Sequence, residues 1–327
     1  MNRLSIIIPT FRRTDSLIRL LQALLDQKNI ELEIIIVDQN QPGYLNNFVP
    51  ERPNIKHIFL DQPNASTARN KGFLASSGEY ILFIDDDLVP TEDFCFLGTE
   101  ILVEFPAIGC FSPLVYNALG KELALQQASV KMIHRLKERP QWFTIKDTIS
   151  AAIFFKRSYF VLTGGFDPGL FEFAKTAEDQ ELFLRMRKRN LNLYFIPTIE
   201  IFHDETVPGG CELRTADYWI TREKCIKSWV FRYRIHQNPP GKLSVSDLIK
   251  LSRSAFLNRE TILAGIGVIR KQIGLLQGAI NSSALFLKTT QIEYPPVGII
   301  NHLLQIRPAN EMEYNQQSII TGVGAAK

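Results

Sequence analysis

The 327-residue sequence has only four cysteines, Cys95, Cys110, Cys211 and Cys225, widely spaced and with no CxxC pair. That spacing excludes a disulfide framework and a thiolate zinc site, and fits reduced thiols in a cytoplasmic compartment. There is no GxGxxG and no GxxxxGK[ST], which argues against a dinucleotide fold and a P-loop. No run of 18 apolar residues occurs; the nearest, "ILAGIGVIRKQIGLL", is cut by Arg270 and Lys271, too early for a membrane span. The start, "MNRLSIIIPTFRR", has a brief apolar run broken by Pro9 and followed by two arginines, unlike a signal peptide. A formal net charge of +3 is too small to imply nucleic acid.

What is present is ordinary in bulk and specific in order. Hydrophobic residues make up 45% and charged residues 22%, as in a globular protein. The length exceeds what one core usually supports, so a main domain with an appendage is expected. "LSIII" (4–8), "EIIIV" (33–37), "HIFL" (57–60) and "YILFI" (80–84) read as strands. Between them, "DSLIRLLQALLDQ" reads as a helix with Thr14 as N-cap, and "STARNKGFLASS" as a helix closing on Gly78. Strands alternating with helices predict an α/β fold with a largely parallel sheet. Further on, "AAIFF" and "LNLYFI" read as strands, and "AEDQELFLRMRKRN" as a helix burying Leu182, Phe183 and Met186. Past residue 210 the strand signal fades into basic and apolar helical stretches.

The stretch "ILFIDDDLVP" ends an apolar strand in three carboxylates, Asp85, Asp86 and Asp87. Two carboxylates about 5 Å apart repel by roughly 3 kcal/mol at an effective dielectric of ~20. A solvated turn is the bland account; a hard divalent cation is the chemical one. Residues two apart on an extended strand end share a side, which would pair Asp85 with Asp87 on a metal or its diphosphate and aim Asp86 elsewhere. Parallel sheets bind ligands beyond the carboxyl ends of their strands. Asp38 and the aspartate triplet both follow strand ends, so both are expected in one crevice. Thr176 to Asp179 also fits a capping box, and a lone histidine such as His203 at a strand end is commonly structural.

The ordered series "IIPTFRR", "VDQNQ", "NASTARNKG" and "FIDDD", followed by "GGFDPGLFEFAKTAEDQELFLRMRKRN", resembles the family 2 glycosyltransferases, inverting nucleotide-sugar enzymes of the GT-A fold. The resemblance covers residues 4 to about 205. It implies a GT-A domain over 1–210, with a Rossmann-like nucleotide-sugar half (1–110) and an acceptor half (111–210). By position it implies that Pro9, Thr10 and Asp38 line the nucleotide pocket, with Arg69 nearby and Asp86 toward the donor. Asp85 and Asp87 are the ends of a DXD motif, and Asp87, Asp85 and His203 would hold Mn²⁺ or Mg²⁺. Glu178 and Asp179 match the pair that supplies the general base, either one remaining a candidate. Gln39, Gln41 and Ser66 depart from the family's acidic residue, serine and glycine. The implied reaction is sugar transfer from a UDP-, GDP- or dTDP-sugar to a carbohydrate or lipid-linked acceptor, in cell-surface polysaccharide or glycolipid synthesis.

Two other classes fit parts of the chain. "DDDLV" also resembles the DxDx[TV] loop of haloacid-dehalogenase-type phosphatases, with Asp85 as nucleophile, although that loop normally follows the first strand. A non-catalytic nucleotide-sugar binding module is the third. Residues 211–327 read as a mostly helical, basic extension. Within 211–290 thirteen Lys and Arg face five Asp and Glu, a net +8 that leaves −5 elsewhere. With "KSWVFRYRIH" in it, this stretch is expected either to pack as a lid or to dock peripherally on anionic lipid at the inner face of the membrane.

Overall fold

The computed structural model describes residues 3–117, 142–145, 148–168 and 178–204. The expected extension from 211 onward, with its lid or lipid contact, lies outside the described residues. So does Thr176, the first member of the expected capping box.

The chain opens with β1 (Arg3–Thr10), α1 (Thr14–Leu25), β2 (Glu31–Asp38), β3 (Ile55–Phe59), α2 (Ala65–Ala75) and β4 (Tyr80–Ile84). The continuous apolar runs of β1, β2 and β4 form strands because both faces of the sheet are covered there, so no alternation is needed; β3, at the edge, is partly exposed. All four strands are parallel, in the order β3-β2-β1-β4. Helix α1 buries Leu17, Leu20, Leu21 and Leu24 against one face. Arg13, not Thr14, occupies its N-cap position, and no side chain caps it. Helix α2 covers the other face and is N-capped by Asn64, whose side chain accepts from Thr67 N at 2.9 Å. Gly72 lets α2 approach closely: a Cβ there would stand 2.4 Å from the Ile7 side chain. The helix stops at Ala75, short of Gly78, with Ser76 N bonded back to Phe73 O.

The second half adds β5 (Leu88–Pro90), α3 (Phe94–Glu104), β6 (Cys110–Tyr116), β7 (Phe143–Ile145), β8 (Ala152–Lys156), the helices Arg157–Thr163 and Glu178–Lys188, and β9 (Leu193–His203). The path runs on as β4-β8-β6-β9-β5, with β7 also on β9. Strand β8 lies antiparallel between β4 and β6, and β5 and β7 oppose β9. Strands β1–β4, β6 and β9 share one direction, so the sheet is largely parallel, as expected. Their carboxyl ends therefore face one crevice. Strand β9 continues through Pro197 to His203, shifting register against β6 after Pro113.

Two apolar layers sandwich the sheet. One centres on α1, α3 and the Phe94–Phe154–Phe111 stack. The other centres on Phe73, Phe83, Phe155, Phe160 and Phe166, with Leu182, Phe183 and Met186 from the Glu178–Lys188 helix. This second layer docks that helix, and with it Glu178 and Asp179, onto the face that carries α2.

Candidate active site

The strand ends at Ile84, and Asp85 to Asp87 form a turn. Strand alternation therefore does not set their side chains, and the hydrogen bonds group Asp86 with Asp87. Asp86 and Asp87 turn together toward Arg13: its Nη1 donates to Asp87 Oδ2 at 2.6 Å and to Asp86 Oδ1 at 3.2 Å. Asp86 Oδ2 accepts from Thr10 Oγ1 at 2.7 Å. Asp85 is bound by Arg69, whose Nη2 donates to Asp85 Oδ1 at 2.8 Å, and it also feels the charges of Asp87 and His203. Arg69 Nη1 donates to Glu178 Oε1, also at 2.8 Å. Arg69 is only 4% exposed and lies over the Phe166 ring at 5.2 Å.

The electrostatics follow from burial opposed by these partners. Burial pushes the Asp86 carboxyl up to about 7, although Arg13 and Thr10 favour its charge. Burial also raises Asp85, with Arg69 opposing and Asp87 adding to the rise. At Asp87 burial acts in the same sense, but His203 and Arg13 outweigh it and hold the carboxyl below its usual range. Arg69 is disfavoured as a cation by burial, yet Asp85 and Glu178 raise it above the ordinary guanidinium value. The counter-charges of the triplet in this structure are thus Arg13 and Arg69, which reading the triplet alone does not reveal.

His203, at the end of β9, is placed by the pairing of Leu88 with His203 and by Asp204 N donating to Asp87 O at 2.9 Å. Its Nε2 lies 3.1 Å from Asp87 Oδ1, an ion pair when the imidazole is protonated. A carboxylate oxygen and an imidazole nitrogen at that separation match two adjacent ligands of a hard divalent ion with bonds of about 2.0–2.2 Å. Among the described residues no three His, Cys, Asp or Glu side chains form a complete protein cage.

Pro9 pairs with Val37 and Thr10 with Asp38 across β1 and β2. Asp38 is buried, and its Oδ1 accepts from Asn40 N and Nδ2 at 2.9 and 2.8 Å. Its Oδ2 lies 3.0 Å from His57 Nε2. Gln39 turns from the crevice: its Oε1 accepts from Asn64 N at 2.8 Å, fixing the start of α2. Asn70 exchanges two bonds with the main chain of Phe166, Nδ2 to O at 2.8 Å and N to Oδ1 at 3.0 Å. Arg69 and Asn70, consecutive on α2, thus join the strand-end carboxylates to the turn and helix of the second half. Asp179 sits one residue beyond Glu178, and Ser150 N donates to its Oδ2 at 3.3 Å.

One network therefore holds Thr10, Asp86, Asp87 and His203, and a second holds Asp85, Arg69 and Glu178. The Asp85–Asp87 turn joins them. Pro9 and Asp38 stand at neighbouring strand ends. The pattern reading missed Arg13, Asn40, His57 and Asn70. Arg13 was visible as the second arginine of "FRR" just past a strand end.

Residues 5–162 match the family model described as glycosyl transferase family 2. Among curated proteins, a 94-residue segment is 33% identical to the poly(ribitol-phosphate) beta-N-acetylglucosaminyltransferase TarP of Staphylococcus aureus, over 27% of this chain and 29% of that protein. A 96-residue segment is 34% identical to the GalNAc(5)-diNAcBac-PP-undecaprenol beta-1,3-glucosyltransferase of Campylobacter jejuni, over 27% and 30%. The chain thus spans under a third of the length of these relatives. Among solved structures, a mannosyltransferase of Pyrobaculum calidifontis, in complex with GDP-Man and Mn²⁺, superposes with a TM-score of 0.53 at 17% identity, covering 92% of this chain and 85% of that one. TarS 1–349 of S. aureus gives 0.51 at 14%, covering 86% and 80%. The fold is that of the GT-A glycosyltransferases, and the aspartate turn with the strands before it lies in the stretch that matches glycosyl transferase family 2. The haloacid-dehalogenase reading finds no support: the aspartate turn follows β4, the fourth strand of the sheet to form along the chain.

Proposed function

We propose that the chain transfers one sugar from a nucleoside-diphosphate sugar to a hydroxyl of a carbohydrate or lipid-linked acceptor, with inversion and with a divalent ion. The observation that carries this reading is the Asp85–Arg69–Glu178 bridge. It sets the aspartate turn of the nucleotide half against the helix that begins with Glu178 and Asp179. The relatives' printed activities and the mannosyltransferase bound to GDP-Man and Mn²⁺ support the same class.

In this reading the nucleotide lies along the ends of β1 and β2, against Pro9, Thr10 and Asp38, and its diphosphate reaches the aspartate turn. Asp87 and His203 would hold the metal, with Asp85 as a candidate for a further oxygen. The rest of the shell comes from diphosphate and water, as is usual for Mg²⁺ and similar ions. Bound there, the metal neutralises charge developing on the leaving diphosphate. Asp179 is the base. The Oε1 of Glu178 is held by the buried Arg69 guanidinium, which makes Glu178 a positioning residue in this reading, and Asp179, whose Oδ2 accepts from Ser150 N, is assigned to take the acceptor hydroxyl's proton. The N-terminal end of the helix favours negative charge at this position. The acceptor oxygen then attacks the anomeric carbon from the face opposite the diphosphate, which inverts that centre.

Asp179→Asn keeps size but cannot take a proton, and should lower the chemical step by about 10²–10⁴ while nucleotide binding, read by calorimetry, persists. Glu178→Gln should weaken turnover less and lower thermal stability more. Full turnover in Asp179→Asn with loss in Glu178→Gln would reverse the two assignments.

A further inference from the structure

The aspartate turn presents an unexpected arrangement for a cation site. The guanidinium of Arg13 already lies on it, donating to Asp87 and Asp86, while Asp87 is the carboxylate that faces His203. A divalent ion between Asp87 and His203 would stand beside that guanidinium. The two cations repel each other, and both draw on the charge of Asp87. Arg13 is also placed for a second contact. Its side chain is 18% exposed, and it sits between the end of β1 and the start of α1. The preceding residue, Arg12, is held at φ 58° with its N donating to Asn40 Oδ1 at 2.8 Å. The main chain beneath Arg13 is therefore fixed to the strand-end loop of β2, and the side chain can exchange partners without the loop moving.

We propose that Arg13 is a displaceable internal counter-cation. In the ligand-free protein it masks Asp86 and Asp87 against divalent ions, and it turns to the donor's diphosphate when nucleotide and metal bind together. This rests on the reading of the crevice as a nucleoside-diphosphate site. Its consequence is ordered affinity: the metal alone binds weakly, and the diphosphate, by drawing Arg13 away and adding oxygen ligands, makes the metal bind tightly. By linkage the metal then tightens the nucleotide by the same factor. Arg13 thus opposes the metal and supports the nucleotide, two effects of opposite sign from one side chain. A purely structural arginine would not separate them.

The test is a titration of the full chain with MnCl₂, followed by calorimetry and by the free-Mn²⁺ resonance signal, without nucleotide and with saturating UDP, GDP or dTDP. In the wild type at least one of these nucleotides should tighten Mn²⁺ binding about tenfold or more, within the usual range of coupling between sites. Arg13→Leu should bind Mn²⁺ alone more tightly than the wild type, bind the same nucleotide more weakly, and lose most of the coupling. Arg13→Lys keeps the charge and should keep Mn²⁺ alone weak. Mn²⁺ binding equally tightly to the wild type with and without a nucleotide that itself binds would overturn the proposal while leaving the nucleotide site standing. That arm needs no variant to fold. Arg13→Leu that folds but binds Mn²⁺ alone no more tightly than the wild type would also overturn it. Failure of all three nucleotides to bind with Mn²⁺ would overturn the underlying reading as well.

Discussion

Replacing Arg69 by Met keeps a long apolar stem over Phe166 but removes the charge that two carboxylates share. Arg69 is nearly fully buried, Glu178 is 12% exposed, and Asp85 is 31% exposed at its side chain. Breaking a buried pair by removing one partner costs about 3–5 kcal/mol, because it leaves an uncompensated charge. Here the Glu178 half takes most of that cost, and water reaches Asp85 enough to soften the other half, so about 3 kcal/mol is expected. Against a typical domain stability of about 5–15 kcal/mol this is large. Denaturant unfolding, monitored by tryptophan fluorescence and by circular dichroism, should show it as a lower midpoint at pH 7. The pH dependence gives a second signature. Burial already raises Asp85, and Arg69 restrains that rise; without the arginine the folded-state value climbs further above the unfolded value of about 3.9. A raised carboxyl binds its proton more tightly in the folded state, so the variant's deficit shrinks as pH falls through the folded value toward about 4. Arg69→Met combined with Glu178→Gln should recover part of the loss, because the stranded carboxylate is gone. A deficit below about 1 kcal/mol at pH 7, or one that does not change with pH, would refute the buried-bridge account.

Glu33, at the opposite end of the sheet and 1% exposed, is lowered from 4.5 to about 2: burial opposes its charge, but Lys56, Ser5 and Ser77 outweigh it. Its contribution is full above about pH 5 and lost as pH falls toward 2, a loss on the order of 2–3 kcal/mol; in Glu33→Gln, acid-unfolding curves should lack that step. Gly98 in α3 sets helix propensity against packing. Alanine would gain about 1 kcal/mol as a helix former, but its Cβ would stand 2.3 Å from Phe154 Cζ, in the ring stack with Phe111 and Phe94, so a net loss of about 1–3 kcal/mol is expected in thermal melts.

The legible parts of this fold are those whose signal is local. "LSIII", "EIIIV" and "YILFI" became β1, β2 and β4 because a strand buried on both faces is apolar throughout, while "HIFL" fell on β3, an edge strand with Lys56, His57 and Phe59 exposed. Leu182, Phe183 and Met186 are buried as their helical spacing predicts. The reading of "LNLYFI" stopped at Ile196 because Pro197 cannot donate to a ladder; β9 nevertheless passes through it, at the place where its register against β6 shifts. Strands β5, β6 and β7 escaped notice. They are short or proline-bearing, and their place is fixed by partners far along the chain, parallel for β6 on β9 and antiparallel for the others. Helix α3 lacks a clean apolar stripe: Phe94, Cys95, Gly98, Thr99 and Leu102 are its buried residues, and three of these five are small or polar.

The same distinction separates the site residues from their partners. Pattern reading nominated the carboxylates because three together are rare enough to notice. It could not supply their counter-charges. Arg13 lies 73 and 74 positions before Asp86 and Asp87, and Arg69 lies 109 before Glu178. A cluster of acids at a strand end states a need for positive charge without saying who meets it. In this fold two arginines meet it before any ligand arrives, each from a loop or helix adjoining the strands that end at the crevice. Burial by itself favours the protonated carboxyl, which would have to lose its proton before accepting a cation. With His203 and Arg13 beside it, Asp87 is held below the usual carboxylate range. Charge on the carboxylate is available at once, and the cost of recruiting the metal becomes the displacement of a guanidinium that the diphosphate itself can receive.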